Sequence, residues 1–230
     1  MTGRYAIYLA PDRTTPLWHF GTSWLGRDPE TGVCAVERFG LPRDLHDEIT
    51  DTPARYGFHG TLKPPFRLAE DADEECLRVA LRCFAATQSP FVVSRLRLGE
   101  LGGFLALLPG GNCSALHKLA DDCVTTFDAF RAPLLESEIA RREPDRLTPV
   151  QRENLKCWGY PYVLKEYRFH MTLTGKLDPK NTAAVRAVLE SASAEIVGRP
   201  MSVSSVALFH EADHSQPFRL VGRFEFNATS

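Results

Sequence analysis

Phe58-His59-Gly60-Thr61-Leu62 and Phe169-His170-Met171-Thr172-Leu173 repeat one pattern in the two halves of the chain, identical at four of five positions. Side chains alternate faces along a strand, so each copy predicts an apolar back and a front carrying His and Thr. The backs are Phe58, Gly60 and Leu62 in the first copy and Phe169, Met171 and Leu173 in the second. The fronts are His59 with Thr61 and His170 with Thr172. One such match would carry little weight, because a lone His on a strand is more often structural than catalytic. Two copies in corresponding places of a repeat point to chemistry. Imidazole exchanges a proton near neutrality, and a hydroxyl can donate to a phosphate oxygen.

The surroundings of the two copies also match. After the first come Pro64-Pro65, a helical pattern over 73–87, and apolar runs at 91–98 and 103–108, with Gly99 to Gly102 suiting a hairpin turn. After the second come Asp178-Pro179 opening a helix, then strand patterns at 201–209 and 217–226. Asn112 caps a further predicted helix reaching about Phe130. This order predicts a duplicated, two-lobed α+β fold. Each lobe would be a mainly antiparallel sheet with helices on its outer face, and the motif faces would enclose a central cleft. The lobes share the chain roughly as 1–130 and 131–230, with insertions at 11–57 and 132–167.

The first insertion follows a predicted strand at 4–10 and is cut by Gly and Pro into short helical pieces near 17–25 and 44–49. Trp18, His19 and Trp24 could wall a site there, but aromatic packing under a long loop is favoured. The second insertion contains Thr148-Pro149 with Gln151, a capping-box start, and Gly159 as a stop.

Composition bounds the function. Apolar content of 43% and charged content of 24% are those of a globular protein, and a formal charge of −2 argues against wrapping long nucleic acid. No apolar run approaches the ~20 residues of a membrane helix. The six cysteines, Cys34, Cys76, Cys83, Cys113, Cys123 and Cys157, form no CxxC pair and read as free thiols, several at apolar helix positions. A reduced, cytoplasmic protein is expected. Lys63 follows Thr61 by two residues and Arg168 precedes His170 by two, so both cations are expected at the cleft as further phosphate contacts. His210 and His214 lie between two predicted strands and form no HExxH pattern, so no metal is assigned to them. His46 and His117 have no partners in sequence.

With both H-x-T-hydrophobic motifs in place, the chain resembles the 2H phosphoesterase superfamily. The strings YGFHGTLKPPF at 56–66 and YRFHMTLTG at 167–175, with WLGRD at 24–28, look like a bacterial branch associated with phosphonate-metabolism operons. The resemblance implies one bilobal domain over 1–230 and no cofactor. It further implies a metal-independent cyclic phosphodiesterase, a hydrolase acting on a small ribose phosphate or cyclic nucleotide-type substrate. His59 and His170 would be its acid–base pair, and Thr61 and Thr172 would bind phosphate. The alternatives are a non-catalytic nucleotide or RNA-end phosphate-binding protein and an RNA 2′-5′ end ligase-like activity.

Overall fold

A computed structural model describes residues 3–33 and 36–227. The Tyr- and Ile-rich start forms β1 (Arg4–Leu9). Helix α1 (Pro16–Leu25) begins where the Thr15 hydroxyl accepts from the Trp18 amide, with proline in its first turn, and ends at Gly26. Helix α2 (Arg43–Tyr56) is longer than its sequence pattern indicates and continues through Pro53. The first motif enters β2 (Gly60–Phe66). Then follow α3 (Glu74–Ala86), capped by Asp73, and the strands β3 (Phe91–Val93), β4 (Leu96–Leu101) and β5 (Phe104–Pro109). The β4–β5 turn lies at Gly102-Gly103, later than expected.

Helix α4 (Ser114–Thr126) buries Leu116, Leu119 and Cys123 as its spacing predicts. The central insertion supplies a short α5 (Glu136–Ala140) and then α6 (Pro149–Trp158), which has the Thr148–Gln151 capping box and the Gly159 stop. The second motif contributes only a two-residue β6 (Met171–Thr172). Helix α7 (Pro179–Ala192), capped by Asp178, is followed by β7 (Met201–Val203), β8 (Ser205–Glu211) and β9 (Arg219–Glu225).

The architecture is mixed α+β with antiparallel sheets and peripheral helices. Two sheets facing each other across a cleft were expected; instead, seven strands form one sheet in the order β4-β5-β6-β2-β1-β8-β9. The reason is an exchange between halves. The β4–β5 hairpin pairs with the second motif strand, and the β8–β9 hairpin continues from β1. The motif strands themselves meet at Gly60 and Met171, and β3 and β7 form a separate two-stranded sheet.

The central strands are buried on both faces. Ile7 and Leu9 point into the large core with Leu62, Leu77, Leu81 and Leu107. Ala6 and Tyr8 point the other way, into a smaller cluster with Trp18, Phe209 and Phe218. Trp18 and Trp24 are both core residues, and the Trp24 indole donates to the Leu173 carbonyl at 2.8 Å, tying α1 to the second motif. Cys123 is the one thiol fully withdrawn among the described cysteines. Cys76, Cys83 and Cys157 are exposed rather than apolar helix positions, and Cys34 lies outside the described residues. No described helix is long and apolar enough to cross a membrane.

Candidate functional site

Each motif histidine sits immediately before its strand, with the apolar back buried as predicted: Phe58, Leu62, Phe169, Met171 and Leu173 are all core. The two motifs touch directly. A side chain at Gly60 would place its first carbon 2.4 Å from the Phe169 ring, so this copy requires glycine where the other carries methionine. Tyr167, just before the second motif, donates its hydroxyl to the Thr61 carbonyl at 2.8 Å.

Helix α2 builds the seat of His59. Its end is held by the Arg27 guanidinium, which donates to the carbonyls of Ala54, at 3.0 Å, and Phe218. Arg55 binds the buried Glu211, which Arg4 also grips at 2.6 Å. Gly57 follows with φ of +78°, a conformation side chains resist, and its carbonyl lies 2.8 Å from His59 Nδ1. A carbonyl only accepts, so His59 carries its proton on Nδ1. Nε2 then accepts from the Thr61 hydroxyl at 3.1 Å. Tyr8 stacks on the imidazole at 3.7 Å between ring centres. Burial drives the His59 pKa down to about 4, with the neighbouring His170 adding a small push in the same direction.

His170 is fixed the same way, Nδ1 donating to the Arg168 carbonyl at 2.8 Å. Burial lowers its pKa too. Its Nε2 makes no hydrogen bond among the described residues, and Thr172 does not reach it as Thr61 reaches His59.

Two cavities meet at His170. One of about 320 Å³ is lined by His59, His170, Thr172 and Tyr56. The other, of about 550 Å³, takes Thr61 and Arg168 together with a wall of Phe104, Tyr160 and Tyr162. That wall is stapled from beneath: buried Asn154 of α6 donates to the carbonyls of Pro161 and Val163 at 3.2 and 3.0 Å. His170, Phe104 and Lys176 border both cavities.

Five of the six expected site residues therefore lie around these cavities. The sixth, Lys63, does not. Ile7 pairs with Lys63 while the next residue, Tyr8, pairs with Thr61, so Leu62 is an extra residue in β2. This bulge reverses the alternation and turns Lys63 to the core face. There its ammonium donates to the Val124 carbonyl at 3.1 Å and pairs with Asp128 at 3.2 Å, and burial pushes its pKa down to about 8. A second register shift, between Tyr5 and Ile7 of β1, falls at Pro64-Pro65; with only Gly60 of β2 paired to β6, the strand runs through both prolines, because prolines are tolerated at bulges and free edges. Lys176 has the place expected of Lys63. It lies past the second motif's strand pattern, where alternation gives no reading.

The remaining histidines are elsewhere. His210 stacks on Tyr5 at 4.4 Å, and His214 leans on Glu211 at 3.3 Å. Among the described residues, no group of three or more His, Cys, Asp or Glu is placed to hold a metal ion. His46 is buried edge-on to Trp24, while His19 and His117 are exposed.

A protein named ribose 1,5-bisphosphate phosphokinase PhnN, from Janthinobacterium sp. (strain Marseille), is 39% identical over 221 residues, covering 94% of this chain and 49% of that protein. Its namesake from Laribacter hongkongensis (strain HLHK9) is 36% identical over 219 residues, covering 94% and 50%. The chain spans about half the length of both relatives. A solved structure titled as that of a phosphoesterase covers 99% of each chain, but at 12% identity and a TM-score of 0.44 it carries no argument. These findings correct the expected assignment to the 2H phosphoesterases and the expected hydrolytic, cyclic-phosphodiesterase activity. The extensive similarity is to proteins named for a phosphotransferase activity, and the phosphoesterase likeness is weak. A family model described as "Protein of unknown function (DUF1045)" matches residues 61–219, from the first motif threonine through the second motif to the start of β9. The chain belongs to this DUF1045 family.

Proposed function

We propose that this chain is a ribose-phosphate-handling unit of a phosphoryl-transfer protein, and that His59 and His170 serve the phosphoryl group of its ligand. The observation that carries this reading is the pair of neutral imidazoles bordering one cavity beside the Thr172 hydroxyl, each anchored through Nδ1 to a backbone carbonyl. Anchoring at Nδ1 leaves Nε2 as the basic atom. His170 Nε2 is free to accept a proton from a ligand hydroxyl, and His59 takes the complementary role once Thr61 turns its hydroxyl toward phosphate. The threonines supply neutral donors to nonbridging oxygens.

The names of the two relatives support a phosphorylated ribose as the ligand. The phosphonate-metabolism setting suggested by the motif strings belongs to this proposal, as does an origin of the two motif regions by duplication around a shared cleft. The sequence contains no G-x-x-x-x-G-K-[ST] stretch to cradle nucleotide phosphates, so the reading gives this chain the sugar phosphate and not the nucleotide.

Calorimetric titration with ribose 5-phosphate tests the proposal. Saturable binding, competed by inorganic phosphate and weakened about tenfold or more in His170→Ala, is expected. Wild-type protein that takes up no ribose 5-phosphate at millimolar concentration would refute it.

A further inference from the structure

The phosphate pocket has a charge problem. Both of its histidines are neutral at physiological pH, and a phosphate monoester brings roughly −1.5 to −2. Compensation has to come from fixed cations. The two cavities offer Arg168 and Lys176, both exposed, and neither side chain makes an ion pair or hydrogen bond among the described residues. Elsewhere the cations with access to a carboxylate use it, as in Arg4 and Arg55 on Glu211 or Arg131 on Asp128. The single carboxylate lining the cavities is Glu166, whose Oε2 accepts from Gln151 at 2.7 Å. In a chain of formal charge −2, this cleft is therefore a local positive spot.

The cations are placed unequally. Lys176 stands where the cavities join, while Arg168 borders only the larger one, which His59 and Thr172 do not line. One phosphate at the histidine pair would use Lys176 and leave Arg168 idle. The geometry points to a second anion subsite at Arg168, so that the ligand is a sugar carrying two phosphates: one between the histidines, the other on the Arg168 guanidinium, with Lys176 between them. A planar guanidinium suits the distal group, since it meets phosphate with two parallel donors. The aromatic wall of Phe104, Tyr160 and Tyr162 lines the same compartment and offers an apolar face to the sugar.

This inference rests on the ribose-phosphate reading and has its own test. Ribose 5-phosphate and ribose 1,5-bisphosphate are titrated into wild-type protein, Arg168→Met, Arg168→Lys, and Lys180→Met as a control on α7 outside both cavities. A wild-type preference of about tenfold or more for the bisphosphate is expected, lost in Arg168→Met, partly restored in Arg168→Lys and intact in Lys180→Met. Equal affinity of the wild type for both ligands overturns the second subsite and leaves the histidine site standing. A preference that survives in Arg168→Met overturns the role of Arg168. Binding of neither ligand overturns the underlying reading along with the subsite.

Discussion

The two copies of the motif share four residues in five and are treated very differently by the fold. His59 is closed in: Tyr8 covers its ring, Gly57 and Thr61 occupy its nitrogens, and its pKa falls to about 4. His170 is held at Nδ1 alone and opens onto both cavities, with Phe104 tilted beside it at 5.5 Å. The motif thus specifies which atoms face forward, while the neighbouring strands decide what each histidine can do. β1 and the end of α2 enclose the first; the second faces the β4–β5 turn and the Asn154-stapled loop. One repeated pattern thus stands in two unlike environments.

That asymmetry can be broken most visibly with acid. The folded His59 refuses a proton that the unfolded chain accepts near its ordinary value of 6.5. The unfolded state therefore binds more protons between about pH 6.5 and 4, and stability rises with pH across that window. Its contribution is complete above about 6.5, is lost as pH falls toward 4, and amounts to about 3 kcal/mol at most. Urea melts at pH 4.5 and 7 should show this loss in the wild type and much less of it in His59→Gln. Equal acid slopes in the two proteins would count against the enclosed-imidazole description.

A smaller effect is expected where the copies touch. Gly60→Ala pushes a methyl into the Phe169 ring and should cost about 1–3 kcal/mol in chemical denaturation, as overpacking in a close-packed interior does. An unchanged midpoint would mean that the motifs are less tightly apposed than described. The smallest effect separates the threonines. Thr61→Val removes the hydroxyl that stabilises neutral His59 and should raise its NMR titration midpoint by the worth of one neutral hydrogen bond, about 1 kcal/mol. Thr172→Val should leave the His170 midpoint where it is. Equal shifts would erase the distinction between the two sites.

What could be read from sequence follows the range of the forces involved. Helix starts at Asp73, Thr148 and Asp178 are local hydrogen-bonding decisions, and each is where its cap residue indicates. The front and back of both motifs were legible for the same reason, since alternation is a property of the strand itself. Sheet order was not, because the exchange of hairpins between halves is decided by burial across the whole chain. Strands at 91–98 and 201–209 each read as one run, yet each divides between the two-stranded sheet and the main one. Lys63 shows the limit within a single strand. One bulge, set by pairing with β1, exchanges its faces, and nothing in TLKPPF announces where the extra residue falls. Lys176 and the wall carried on 159–167 depend on how loops return to the sheet, for which periodicity has no signal.

The pairing of β1 with β8 has a consequence for how the molecule comes to be folded. Ile7 lies opposite Leu208, and Arg4 meets Glu211 both in the ladder and through its side chain. β1 must wait for β8, which is synthesised much later, before its second edge is covered. Closing so long a loop is entropically expensive, and folds rich in such pairings form slowly. During that interval Ala6, Tyr8 and the surface they will cover stand open to other chains, a time when chaperone protection would matter most.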